Sequence, residues 1–411
     1  MSRVIFTKGA APSTPAANKS AVYVDTADNR VKQIDPNGVI SILNNDGLQD
    51  RNILDNGGLM IQQRVAVAST AIAGITTTTR AGVVADRWAV TTSVASNVLW
   101  AQTDSSGAPE TALLARYYGT ITKSTALKKV MLSQYCIFNQ MAHLRNQKIR
   151  ISFKHNQKVG SAQVLRFGLV QLQSTGAVDA PPAFLSGAWS AVDGTDPAWS
   201  ANTAAVTPDA SPTPENGTVV GSWIETTTAA SWTRASGVFS VPSNCKGFYV
   251  VIFTNAGGAS TDAFGFAELQ VTQGSEIVDF IQTPFVEELS RCQMFYAKTF
   301  ALTTVPVANT GVNTGEAKGV AGKAGAVVNA GIIYWRFPVR MWKTPTTVTG
   351  FNPGAAASAL QRNVTGAADM GATAFTAQLD SSVMSIATGV AATAVGDQIG
   401  LHITADAEVV V

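Results

Sequence analysis

The stretch Lys148-Ile149-Arg150-Ile151-Ser152-Phe153-Lys154 alternates strictly between apolar and polar residues. That two-residue period places Ile149, Ile151 and Phe153 on one face, as a strand covered on one side requires. Further runs bounded by Gly, Pro or Asn read as strands: Val164 to Leu172, Ser236 to Val241, Phe248 to Phe253 and Phe264 to Thr272. Phe248-Tyr249-Val250-Val251-Ile252-Phe253 is apolar throughout, which predicts a central strand covered on both faces. A helical turn or two is expected at Ser133 to Arg145. Together these runs predict a mainly β chain whose centre, residues 51–282, is a jelly-roll-like β-sandwich.

Outward from that sandwich the pattern changes. Residues 1–50 hold three short β-prone runs, Val22 to Val24, Val31 to Ile34 and Val39 to Leu43, which read as a small meander with a turn at Asp35 to Gly38. So few apolar residues cannot offset an ordering cost of about 1 to 2 kcal/mol per residue without outside contacts, so the unit is expected to dock on partner chains or a larger assembly. After the sandwich, Phe285, Leu289, Cys292 and Tyr296 recur at helical spacing behind Thr283 and Pro284, predicting a linking helix within residues 283–300. Glu287 and Arg291 fall four apart on its wet face. Residues 301–411 return to strands at Gly331 to Val339, Thr346 to Phe351, Phe375 to Leu379 and Ile399 to Thr404, forming a C-terminal β domain.

Composition narrows the function. The chain has 411 residues, 46% hydrophobic and 14% charged, enough apolar material for two or three cores. Its 29 Lys and Arg nearly balance 27 Asp and Glu, without a basic block, so nucleic acid is not an expected partner. No signal-peptide pattern opens the chain and no run approaches the ~18 apolar residues of a membrane span, so synthesis in a cytoplasm and no membrane insertion are expected. Three cysteines, Cys136, Cys245 and Cys292, stand far apart and read as buried free thiols. His143, His155 and His402 lack the partners of a zinc site, and no Gly-x-Ser-x-Gly elbow occurs. Neither metal, cofactor nor catalytic residue is predicted.

The tryptophans remain. Trp88, Trp232, Trp335 and Trp342 lie in or beside strand-like runs and read as core. Trp189 and Trp199 sit instead in the irregular segment Ser174 to Gly221, far longer than an ordinary connection, rich in Pro, Gly, Ser and Asp. Aromatic faces beside polar groups stack sugar rings, so Trp189 and Trp199, with Asp193 and Asp196, are the candidate glycan contacts. The same aromatics also suit subunit packing. Asp193 and Asp196 are the local candidates for a glycosidase carboxylate pair, against the plainer reading as turn residues.

An ordered set of stretches carries a family likeness. Arg51-Asn52-Ile53-Leu54-Asp55-Asn56-Gly57-Gly58-Leu59, with Gln62-Gln63-Arg64 and Ala85-Asp86-Arg87-Trp88, resembles the opening of many phage tail-fibre and virion proteins with a carbohydrate-binding-module-like sandwich. Leu144 to Phe153 is similar to a later strand of that family, although Asn146 stands where glycine is usual. Trp232-Thr233-Arg234 with Phe239 to Pro242, then Pro284-Phe285 with Glu287 to Tyr296, follow in the expected order, and His402 to Glu408 resembles the family's closing segment. The resemblance implies a structural or host-recognition protein of a bacteriophage virion, made in the host bacterial cytoplasm and usually a homo-oligomer, for which a trimer is the first expectation. On that reading residues 1–50 attach it to other virion proteins, and it binds host-surface polysaccharide. The alternatives are a purely structural head, neck or collar decoration protein and, less favoured, a polysaccharide depolymerase.

Overall fold

The computed structural model describes residues 8–10, 12–16, 19, 21–25, 31–34, 40–42, 51–64, 70–72, 83–93, 98–106, 112–123, 129–173, 185–186, 189–190, 192–308, 314–321, 330–353, 362–363, 368–369, 375–389 and 396–408. The chain is mainly β, with one helix of more than two turns among the described residues. The Asp35 to Gly38 turn lies outside the described residues.

Two antiparallel sheets make the sandwich. In one, the strands run in the order Thr218–Val220, Trp223–Thr227, Val164–Leu172, Gly247–Thr254, Val130–Cys136, Trp88–Thr92 and Val83–Ala85, with Thr203–Val206 also on Val164–Leu172. In the other the order is Thr233–Ser240, Lys148–Val159, Ala263–Gln273, Tyr117–Lys123, Val98–Asp104 and Thr70–Ile72. Their facing sides share one core, where Phe153 of the second sheet meets Phe167 of the first edge to face at 5.0 Å. The strand read first from the sequence therefore supplies Ile149, Ile151 and Phe153 to that core as predicted. Its other face is covered as well. Arg150 is buried and donates from Nε and Nη2 to the Ser275 carbonyl and from Nη1 to Ser236 Oγ, because the chain after Gln273 folds back across it.

Gly247–Thr254 lies in the middle of its sheet and is buried at every position. Phe248, Val250 and Ile252 enter the sandwich core, while Tyr249, Val251 and Phe253 enter a second cluster on the sheet's outer side with Met131, Tyr135 and Val170. Two corrections follow. Ser133 to Cys136 completes a strand, and the helical turns are confined to Phe138–Met141 and Ala142–Leu144. The segment read as irregular contributes strands Thr203–Val206 and Thr218–Val220, which widen the first sheet.

At the N-terminus Lys8–Gly9 pairs in parallel with Ala21–Asp25, which leads into Val31–Ile34 and Ile40–Ile42, so the meander carries one strand more than predicted. Tyr23, Lys32 and Ile34 are buried and Lys32 Nζ reaches Glu276 Oε1 at 3.3 Å, so part of the missing cover comes from the chain itself.

The helix spans Phe285–Gln293. Its buried positions are Glu288 and Cys292, while Phe285 and Val286 are 45% and 74% exposed. The predicted apolar face is therefore rotated, because Glu288 accepts a hydrogen bond from the Asn56 amide and holds that side inward. Tyr296 belongs to a strand instead, Tyr296–Lys298, which pairs with Gln398–Asp406. Gln398–Asp406 is the hub of the C-terminal sheet, taking Thr347–Phe351, Ala317–Ala321 and Arg362–Asn363 as further neighbours. That sheet thus begins ahead of residue 301.

Candidate functional site

The four predicted glycan contacts fall on the outer side of the first sheet. Trp189 is 1% exposed, its ring edge to face with Phe253 at 5.7 Å and its Nε1 donating to the Thr195 carbonyl at 3.3 Å. It is a core residue, contrary to the prediction. Tyr249, Val251 and Phe253 require cover on this face, and the segment around Trp189 provides it. Lys129 secures that cover by donating from Nζ to the carbonyls of Val192 and Thr195, at 2.6 and 2.8 Å. Trp199 is partly buried, tilted against Trp223 at 5.6 Å.

Both aspartates are structural ties. Asp196 accepts from Arg166 Nη1 at 2.5 Å and from Trp223 Nε1 at 2.9 Å, and Asp193 Oδ1 accepts from the Gly257 amide at 2.7 Å. The run Phe248 to Phe253 already held the signal for this outcome, since a strand apolar on both faces demands a cover, and Trp189 and Trp199 are the large side chains able to supply it.

A partly exposed aromatic pair stands elsewhere, on the outer face of the second sheet. Phe264 and Phe266 point into the core, so Gly265 between them faces outward, as do Tyr118 and Thr120 on the neighbouring strand, where Ile121 points in. Trp232 precedes the edge strand Thr233–Ser240, and its ring lies across Gly265. A methyl group there would come within 2.8 Å of Trp232 Cη2 and 2.5 Å of Asn156 Oδ1. The ring reaches Tyr118, edge to face at 5.3 Å. Lys158 Nζ lies 4.5 Å from the Tyr118 ring centre and 4.9 Å from that of Trp232. Trp232, predicted as core, is thus an outer residue absent from all three core clusters. The glycine opposite it, which leaves room for the flat ring, was the missed sequence signal.

Residues from the opening, helical and closing stretches of the family likeness converge on a third place, a buried junction between sandwich, helix and C-terminal sheet. Asn52 donates to the Leu269 carbonyl at 2.9 Å and its Oδ1 accepts from the amides of Leu54 and Val271. Asn56, in the left-handed region at φ 54°, donates from Nδ2 to the carbonyls of Ile61 and Asp86. Gly57 must lack a side chain, since a methyl group there would sit 2.1 Å from the Leu269 carbonyl oxygen. Asp86 and Arg87 form the tight turn between Val83–Ala85 and Trp88–Thr92, with Arg87 at φ 73°.

From that turn Arg87 donates to Asp55 Oδ2 at 3.0 Å, to Glu408 Oε1 at 2.9 Å and to the Tyr135 carbonyl at 2.7 Å, with its guanidinium 3.4 Å from the Phe295 ring centre. Arg64 pairs with Glu408 Oε2 at 2.8 Å and with Asp406, while Arg291 pairs with Asp55 Oδ1 at 2.8 Å. Burial pushes the Asp86 carboxyl up to about 6 against the pull of Arg64 and the Gln63 hydrogen bonds, and it also raises Glu288 and Asp406. Burial opposes the charge on Arg87 too, but Glu408 and Asp55 outweigh it and hold the guanidinium charged. The cysteines behave as predicted: all three are free and buried, and burial lifts Cys136 to about 12 and Cys245 to about 11. Among the described residues no three His, Cys, Asp or Glu side chains converge to hold a metal ion, and no helix is long and apolar enough to cross a membrane.

No protein-family model and no curated protein sequence matches the chain. Among solved structures, TmCBM61 in complex with β-1,4-galactotriose is similar at 10% identity and a TM-score of 0.28, over 54% of this chain and 99% of that one. A putative sugar binding protein from Bacteroides thetaiotaomicron is similar at 12% identity and a TM-score of 0.28, over 54% of this chain and all of that one. The enzymatically active domain of bacteriophage CBA120 tailspike protein 4 is similar at 8% identity and a TM-score of 0.29, over 54% of this chain but only 21% of that one. At these scores the likeness adds nothing to the sheets already described.

Proposed function

We propose that the chain is a non-catalytic virion protein of a bacteriophage, a homo-oligomer with a trimer favoured, whose sandwich binds a surface glycan. The observation that carries the glycan reading is the Tyr118 and Trp232 pair on the outer sheet face, with Lys158 beside both rings. The C–H faces of a sugar pack on such rings while Thr120 and Lys158 line the surface with polar groups. The non-catalytic part of the reading is supported by the hydrogen bonds and ion pairs that commit Asp193 and Asp196 to holding their segment. The virion assignment, with residues 1–50 as the attachment unit, rests on the resemblance of the ordered motif set.

A glycan array followed by titration of the best hit tests the reading. Trp232→Ala and Tyr118→Ala are each expected to weaken binding by about tenfold, corresponding to ~1.4 kcal/mol. Unchanged affinity in both variants would remove the aromatic pair as the site. A purely structural role in the particle is favoured instead by Asn52, Asp55, Asn56, Arg64, Arg87 and Glu408, motif residues that the junction uses internally. Silence of the whole array, with normal incorporation into particles, would select that second reading.

A further inference from the structure

A cavity of 270 Å³ opens beside the buried junction, where the chain at Arg51 to Ile53 passes between the short helical turn and the helix Phe285–Gln293. Its size is just under the ~300–1,000 Å³ usual for small-molecule sites, room for one ring rather than an oligomer. Ile53 and Met294 give it an apolar wall. Its charged lining is Arg51 and Arg291, with the His143 imidazole beside them and no carboxylate among the lining residues.

The cationic groups are not equivalent. Arg291 is committed, its Nη2 held by Asp55 at 2.8 Å and by the carbonyls of Asn52, Ile53 and Leu54 at 3.3 Å each, so it forms the wall. The carboxamides are committed as well, Asn52 to Leu269, Leu54 and Val271, and Gln140 to Asp55. Arg51 differs. Its ion pair with Glu287, at 2.7 Å, joins two half-exposed side chains, and such a pair is worth little in solvent and can be exchanged for a ligand. His143 is exposed beside it.

We infer that this cavity binds a small monocarboxylate carried on a compact ring, the chemistry of a single hexuronic acid, with Arg51 as its main ligand. The planar guanidinium fork matches a carboxylate bidentately, and one exchangeable guanidinium suits one negative charge better than a phosphate dianion. Glu287 then acts as an internal competitor for Arg51. This site uses none of the residues of the Tyr118 and Trp232 surface, and the inference stands or falls separately from the glycan reading proposed there.

The test is titration of the full chain with glucuronate, glucose and inorganic phosphate, read at the Met294 methyl and His143 imidazole resonances. Glucuronate is expected to shift both at millimolar concentration, while glucose leaves them in place and phosphate binds more weakly. Arg51→Ala should weaken glucuronate binding about fivefold and Glu287→Gln should tighten it by a similar factor. Trp232→Ala should leave it unchanged. No shift at up to about 50 mM glucuronate, equal response to phosphate, or indifference to both surface variants would overturn the inference. Loss of the response in Trp232→Ala would also overturn it, by moving the acidic-sugar site to the aromatic pair.

Discussion

Arg87 and Glu408 lie 321 positions apart in the chain and meet at 2.9 Å, both almost completely buried. The same carboxylate takes Arg64 on its other oxygen, so one side chain beside the C-terminal sheet bridges two guanidinium groups of the sandwich segment, with Asp406 and Asp55 supplying further negative charge. Removing one partner of a buried pair leaves an uncompensated charge, which costs far more than the pair itself contributes. The junction is therefore a point where the sandwich and the C-terminal sheet are expected to fold as one cooperative unit.

Glu408→Gln should destabilise the protein by about 3–5 kcal/mol, the usual cost of breaking a buried pair. Denaturant unfolding followed at two probes, one in each sheet system, should change from a single transition to two. A coincident transition at unchanged midpoint would show that the junction does not couple them.

Trp189→Ala and Trp232→Ala should separate cleanly. Loss of the buried Trp189 ring should cost about 3–5 kcal/mol, as large core truncations do, whereas the partly exposed Trp232 ring should cost well under half of that. The ranking by thermal unfolding reverses if Trp189 is the surface residue that its loop composition suggests.

Gly265→Ala probes the aromatic pair without deleting it. The added methyl would crowd Trp232 Cη2 and Asn156 Oδ1, both ends of side chains, so the fold should survive while the Trp232 ring shifts. Glycan affinity should fall with little change in melting temperature; retained affinity would show that the ring's position is not used.

His155 should make the protein acid-sensitive. It is buried beside Phe153, with Nε2 3.2 Å from Thr226 Oγ1, and burial lowers its pKa from 6.5 to about 4. Between those values the unfolded chain binds the proton and the folded one does not, so stability falls as pH drops from 6.5 to 4, by at most about 1.4 kcal/mol per pH unit. Asp86 works in the opposite direction: its folded pKa, raised from 3.8 to about 6, adds stability as pH falls through that window. The two oppose each other in the native chain. Subtracting the stability profile of His155→Gln from that of the native protein isolates the histidine, and the difference should narrow as pH falls from 6.5 to 4. A flat difference would place His155 in a hydrated setting.

The legible part of this protein lay in the short-range pattern. Period-two alternation at Ile149, Ile151 and Phe153, and the doubly apolar run Phe248 to Phe253, identified strands and even the central position of one, because strand burial is written in neighbouring residues. The helix was legible in extent but not in orientation, since Glu288 turned inward to bind Asn56 from more than two hundred residues away. The assignments of Trp189 and Trp232 failed for the same reason, while Trp88 is core as read. Trp189 went inside because a sheet face distant in sequence needed cover, and Trp232 went outside because Gly265, on another strand, left its ring a place to lie.

By itself the sequence determined the mainly β architecture, the free buried thiols and an ordered set of motifs running from Asn52 to Glu408. Only the tertiary structure decided what those motifs do: it brought Asp55, Arg64, Arg87, Arg291, Asp406 and Glu408 into one buried lattice. Charge pairing at a few ångströms depends on where separate elements pack, and no local pattern in a chain encodes which distant partner will neutralise a buried charge.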